Sequence, residues 1–177
     1  MLKARTIIQS LAHVTLVLGG ARSGKSRYAE TCITKAPSPW VYVATGQAYD
    51  EEMKARIAEH QSRRAQGWQT IEAPVDLAGA IAKAGKSPIL VDCLTLWLTN
   101  LMLGEYDIES AIARFEDALA QCAAPIFLVS NEVGLGIVPN SSLGRRFRDE
   151  AGKLNQRMAA RAGRVLFMVA GLPMTLK

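Results

Sequence analysis

The chain has 177 residues, 49% of them hydrophobic and 21% charged, with a formal net charge of +5. This is an ordinary globular balance, and the length suits one domain with a full core. The modest positive charge fits a protein that handles phosphates. With aromatics at 6% and no block of Lys or Arg, it argues against nucleic-acid binding. The basic spots Arg63-Arg64 and Arg145–Arg148 sit in helical patterns with acidic residues, as solvated helix faces do.

Residues 1–13 carry two basic residues and a short apolar patch, without a long apolar core or a small-residue cleavage site. They read as an N-terminal extension, either a disordered one or the product of an early start codon, and not as a signal peptide. The domain is expected over 14–177. Its first strand is the apolar run Val14-Thr15-Leu16-Val17-Leu18. Residues Gly19-Gly20-Ala21-Arg22-Ser23-Gly24-Lys25-Ser26 follow, and they fit the G-x-x-x-x-G-K-[ST] phosphate-binding loop. Strand before and helix after are the context that such a loop needs; a glycine-rich turn with a chance GKS is the alternative. The glycines let backbone N–H groups turn inward around a triphosphate, and the helix N-terminus favours negative charge. Lys25 is expected to reach the β- and γ-phosphates and Ser26 to ligate Mg²⁺.

Further strands are predicted at 40–44, 69–72, 88–92, 125–130 and 164–170, and helices at 25–35, 50–65, 76–84, 94–103, 108–121 and 142–162. Most strands are continuous apolar runs, the mark of strands covered on both faces in a parallel α/β sheet. The last helix carries a stripe at Leu143, Phe147, Ala151, Leu154, Met158 and Ala162, close to a 3.6 period. No repeat or linker divides the chain. The three cysteines, Cys32, Cys93 and Cys122, show no metal-binding spacing and read as reduced thiols of a cytoplasmic protein. No apolar run approaches the ~18 residues of a membrane span.

In such a sheet the ligand lies beyond the carboxyl ends of the strands. That places Thr45-Gly46, Glu72, Asp92 and Ser130-Asn131-Glu132 on the nucleotide side. Asp92 closes an apolar strand, where a P-loop protein keeps its second Mg²⁺ carboxylate; capping the next helix is a compatible second role. His60 shares a helix face with Arg56 and Arg64 at i, i+4 spacing. Nearby positive charge disfavours imidazolium and leaves a neutral ring able to attack phosphorus, with the arginines holding phosphate oxygens. A half-buried structural histidine is the competing reading, since Met53 and Ile57 lie near that face. Asn131–Pro139 is a glycine-punctuated loop in which Glu132 is a candidate base; a plain strand-to-helix connection fits it as well.

Taken together, GGARSGKSRYAE (19–30), YVATGQAYDEEMKARIAEHQSRR (42–64), W-x-T-x-E-x-P (68–74), VDCLTLWLTNLM (91–102), NEVGLGIVP (131–139) and FRDEAGKLNQRMA (147–159) resemble one family. It is the bifunctional adenosylcobinamide kinase / adenosylcobinamide-phosphate guanylyltransferase of cobalamin synthesis. The resemblance runs in order from about residue 14 to the C-terminus. It implies a RecA-like P-loop sheet, mostly parallel and flanked by helices, and a homotrimer. It implies phosphorylation of the aminopropanol hydroxyl of adenosylcobinamide by ATP or GTP, then transfer of GMP from GTP onto that phosphate. The guanylyl group would pass through a covalent GMP–histidine, and the family's histidine falls on His60. Thr45, Gly46, Gln47, Arg63, Arg64 and Glu72 join Gly19–Ser26 and Asp92 as expected nucleotide contacts. A single-activity small-molecule kinase and a non-catalytic RecA-like module are the rival functions.

Overall fold

The computed structural model describes residues 10–47, 51 and 66–177. The apolar runs become the strands of one seven-stranded sheet. In chain order the elements are β1 (Leu11–Gly19), α1 (Lys25–Ile33), β2 (Trp40–Ala44), β3 (Trp68–Glu72), α2 (Leu77–Ala84), β4 (Ile89–Asp92), α3 (Leu94–Leu103), α4 (Ile108–Gln121), β5 (Ile126–Asn131), α5 (Ser142–Arg161), β6 (Ala162–Val169) and β7 (Leu172–Thr175). The strand order is β3-β2-β4-β5-β1-β6-β7. All neighbours pair parallel except β7, which runs antiparallel to β6. This is the mostly parallel α/β sheet that the apolar runs imply. The predicted helix at 50–65 lies outside the described residues apart from Glu51.

Alternate residues of each strand feed two cores, as a pleated strand requires. On one face Val17, Leu90, Val129 and Met168 pack with Ala29 and Ile33 of α1. On the other, Leu16, Val43, Val91 and Leu128 pack under helices α2 to α5 through Leu77, Leu98, Phe115 and Leu154. Three of the helices that cover the second face start on side-chain caps. Asp76 accepts from Gly79 N, Asp107 from Ser110 N and Ser141 from Gly144 N, each satisfying a backbone donor that the helix cannot. Arg157 of α5 ties that helix to α4 by ion pairs to Glu109 (2.6 Å) and Glu116 (2.7 Å).

Ala162, expected to close the stripe of the last helix, opens β6 instead, and two larger features depart from the strand pattern read in the sequence. First, β1 starts at Leu11 and so takes in residues ahead of its apolar run. Leu11 pairs with Ala162, Ser10 Oγ donates to Ala162 O at 3.0 Å, and His13 Nε2 donates to Leu119 O at 3.1 Å. These are long-range contacts that leave no local pattern. Second, β7 has only four residues, all exposed, and contains Pro173, which its edge position tolerates. The turn that forms it is legible afterwards: Ala170 (φ 50°) and Gly171 (φ 80°) both sit in the left-handed region that tight hairpins use.

The larger core is anchored by Trp97 and Phe115, both fully buried, with ring centroids 5.5 Å apart. Trp97 also donates its indole N–H to Val75 O at 2.7 Å. Phe115→Ala leaves a cavity against this pair and is expected to cost about 3–5 kcal/mol, measured as a drop in the free energy of urea unfolding. A loss below about 1 kcal/mol would show that the core re-closes around the site.

Candidate active site

β1 runs between β5 and β6 and delivers the phosphate-binding loop at the carboxyl edge of the sheet. A side chain is barred at its first residue: a Cβ on Gly19 (φ 150°) would lie 2.7 Å from the Met168 carbonyl oxygen. Gly20, Ala21 and Arg22 are exposed, with Arg22 in the left-handed region (φ 56°). Gly24 (φ 94°) is the N-cap of α1, and no side chain caps that helix. Its first N–H groups are therefore free to meet an anion. The loop is braced from behind by the β6–β7 turn, where Gly171 N donates to Ser23 O at 3.1 Å.

Lys25 is only 6% exposed. Its ammonium donates to Gly20 O at 2.5 Å and to Ser23 Oγ at 3.4 Å, so it lies curled under the loop. Burial pushes its pKa below the ordinary 10.5, with Cys93 and Asp92 pulling the other way. Asp92 ends β4 and is half-buried; Tyr42 Oη donates to its Oδ2 at 3.1 Å. Ser26 follows Lys25 in the first turn of α1. A serine hydroxyl and a carboxylate are hard oxygen donors. Among the described residues no three His, Cys, Asp or Glu side chains cluster as a metal cage. That donor set suits Mg²⁺, which takes few protein ligands and fills its shell with phosphate and water.

The strand register brings the other predicted edge residues together. Glu72, Ala44 and Asp92 lie in one row across β3, β2 and β4, and Asn131 stands opposite Gly19. Glu72 is exposed; Gly46 and Gln47 are half-buried. Thr45 is fully buried, and its hydroxyl is committed to the chain after Asp92: it accepts from Cys93 N (2.7 Å) and donates to Cys93 O (2.8 Å). Glu132 closes on its own loop, its Oε1 accepting from Gly134 N at 2.5 Å, while its N donates to Gly19 O at 3.0 Å. Arg56, His60, Arg63 and Arg64 lie outside the described residues.

Beneath this edge runs a buried polar chain that joins Thr45, Ser130 and Asn131 to Cys93, Thr95, Asn100 and Asn155. Asn131 Nδ2 donates to Thr95 Oγ1 (2.9 Å), which also bonds Cys93 Sγ (3.1 Å). Ser130 Oγ donates to Asn155 Oδ1 (2.7 Å), and Asn155 Nδ2 donates to Asn131 O (3.2 Å). Asn100 Nδ2 donates to Thr45 O and Pro74 O, both at 2.8 Å. Burial and the Asp92 charge raise the Cys93 thiol to about 11, so it stays protonated at neutral pH. The signal was present: Thr95, Asn100 and Asn155 are polar residues inside otherwise apolar helix faces, where an unpartnered group is costly.

Residues 15–176 match the cobinamide kinase / cobinamide phosphate guanyltransferase family. This chain belongs to that family. It is 52% identical to the bifunctional adenosylcobalamin biosynthesis protein CobP of Pseudomonas aeruginosa over 169 residues, 92% of this chain and 96% of that protein. It is 44% and 42% identical to the proteins of the same description named CobU from Salmonella typhimurium and Escherichia coli, covering 92% of this chain and 98% of each. Among solved structures, a prototypical ATPase from the type III secretion system of pathogenic bacteria superposes with a TM-score of 0.51 at 11% identity. It covers 92% of this chain, which spans 56% of the ATPase's length. That likeness shows the fold, a mostly parallel α/β sheet flanked by helices, and nothing further.

Lys25 couples the site to stability. Its charged form is disfavoured by burial, so it costs the free protein stability at neutral pH; that cost is relieved as pH rises through the lowered pKa toward 10.5. Lys25→Met is expected to leave the melting temperature equal or higher while weakening nucleoside triphosphate binding roughly 10- to 100-fold. Differential scanning fluorimetry and a GTP titration check both. A variant that is less stable yet binds normally would overturn this role.

Proposed function

We propose that the enzyme performs both reactions of its family on nucleotide held by the Gly19–Ser26 loop. In the first, the aminopropanol hydroxyl of adenosylcobinamide attacks the γ-phosphorus of ATP or GTP and gives up its proton to water, the bond to the β-phosphate oxygen breaks, and the nucleoside diphosphate leaves. In the second, a neutral imidazole nitrogen of His60 attacks the α-phosphorus of GTP and pyrophosphate leaves. An oxygen of adenosylcobinamide phosphate then attacks the resulting phosphoramidate. The P–N bond breaks, His60 is restored, and adenosyl-GDP-cobinamide is formed.

The observation that carries this reading is the buried Lys25 beneath a loop that leads into an uncapped helix N-terminus. Positive ends of backbone dipoles and one ammonium are set in place before any nucleotide arrives, and such preorganised charge is commonly the largest catalytic term. Ser26 and Asp92 are the residues to hold Mg²⁺, which would screen the charge of the triphosphate. Lys25 and the loop N–H groups then take the phosphate oxygens. Gly46, Gln47 and Glu72, with Arg63 and Arg64, belong to the nucleotide's surroundings in this reading, whereas Thr45, whose hydroxyl is spent on Cys93, braces the chain behind them. The assignment of His60 rests on the Arg56–His60–Arg64 spacing and on the family resemblance.

We also place the enzyme in the cytoplasm as a homotrimer. Its three thiols are free, which suits a reducing compartment. Among the described residues no helix is long and apolar enough to cross a membrane. Exposed Leu135, Ile137, Leu172 and Met174 support an assembly that covers part of this surface. Sedimentation equilibrium should return a mass three times 19.2 kDa; a mass of 19.2 kDa at micromolar concentration would exclude the trimer.

The covalent step is tested by intact-protein mass spectrometry after incubation with GTP and Mg²⁺. A GMP-sized, acid-labile gain is expected for the native chain and none for His60→Ala, which keeps part of its kinase turnover. No gain in a native chain that still binds GTP would leave a kinase without the histidine intermediate.

A further inference from the structure

We propose that Tyr42 and Thr45 are positioning residues that hold Asp92 from two sides, Tyr42 through the carboxylate and Thr45 through the backbone. The inference rests on the reading of Asp92 as a Mg²⁺ ligand. Asp92 is the last residue of β4, and its neighbour β2 ends at Ala44. Beyond that point the sheet ladder no longer restrains the chain, so the carboxylate would swing with the peptide that follows it. Thr45 replaces the missing ladder. Its one hydroxyl bonds both the N–H and the C=O of Cys93, at 2.7 and 2.8 Å. Thr45 N also donates to Asp92 O at 3.3 Å. Thr45 is in turn fixed by Asn100, which donates to its carbonyl at 2.8 Å.

Tyr42 acts on the opposite face of the sheet. It sits two residues before Ala44, the register partner of Asp92, and its phenol reaches across to Asp92 Oδ2 at 3.1 Å. The ring is 6% exposed and edge-on to Trp68, with centroids 6.2 Å apart at 78°. Trp68 in turn packs on Trp40 at 5.7 Å. A phenol locked by packing is a stiff hydrogen-bond donor, and it restrains one of the two carboxylate oxygens. In this arrangement Thr45 acts through Asp92 and does not itself touch nucleotide, because its hydroxyl is fully buried and both its donor and acceptor functions are spent. Partners of this kind tune metal affinity without ligating the metal.

The test is the Mg²⁺ dependence of binding of a fluorescent GTP analogue to the full-length chain, with melting temperature recorded alongside. Tyr42→Phe and Thr45→Val should each raise the Mg²⁺ concentration at half-saturation roughly tenfold. Binding in the presence of EDTA should stay at the native level, and Thr45→Ser should restore the native midpoint. A purely structural role would lower the melting temperature without moving that midpoint. Native midpoints in Tyr42→Phe and Thr45→Val, with a shifted one in Asp92→Asn, would overturn the proposal and leave Asp92 as a ligand. A native midpoint in Asp92→Asn would remove the Mg²⁺ reading itself, and the proposal with it. Should Thr45→Val fail to fold, Tyr42→Phe decides alone, since it deletes one oxygen and keeps the ring.

Discussion

An ammonium group held almost out of water, with a backbone carbonyl and a serine hydroxyl as its contacts, is the constraint around which the carboxyl edge of this sheet is organised. Lys25 is stable there only because Gly20 O and Ser23 Oγ solvate it and Asp92 lies near enough to favour its charge. The same arrangement leaves the charge under-compensated until an anion arrives. The loop glycines, the uncapped α1 and the bare turn around Gly24 all serve one end. They leave the first turn of α1 without a side-chain cap, so its N–H groups can meet an anion. The helices covering the second face illustrate the contrast. α2, α4 and α5 begin on Asp76, Asp107 and Ser141, and each gives one free N–H to that side chain, whereas α3, like α1, starts without a side-chain cap.

Rigidity at that edge comes from buried polar groups. Ser130, Asn155, Asn131, Thr95, Cys93, Thr45 and Asn100 link the ends of β2, β4 and β5 to helices α3 and α5. A half-satisfied network would be worse than an apolar one, whereas a satisfied network specifies a single arrangement. Apolar packing tolerates small slides. Hydrogen bonds of 2.7–3.2 Å between defined atoms are more directional, so the polar chain fixes the positions of the chain after Asp92 and of Asn131.

The two faces of the sheet do different work. The face under α2 to α5 carries most of the large buried side chains, Trp97 and Phe115 among them, and holds the domain together. The face under α1 is a smaller cluster, flanked by the Trp40–Trp68–Tyr42 aromatic contacts. It is also the face on which Tyr42 meets Asp92. The bulk of the core and the helix that follows the phosphate-binding loop thus lie on opposite sides of one sheet, and Asp92 at its edge is held from both.

Most of the architecture was legible in the amino-acid order, because the signals that made it are local. Continuous apolar runs marked the inner strands, and the 3.6 period marked α5. The loop motif marked the junction of β1 and α1, and the family segments carried the identity of the enzyme. What tertiary structure decided were the contacts between residues far apart in the chain. Leu11 became part of β1 by pairing with Ala162, and β7 formed at an edge where a proline is tolerated. Thr45 found Cys93 forty-eight positions away, and Tyr42 found Asp92 fifty away. Sequence patterns report which face a residue belongs to. Only the sheet order, which brings β2 beside β4 and β1 between β5 and β6, determines which polar groups on those faces meet.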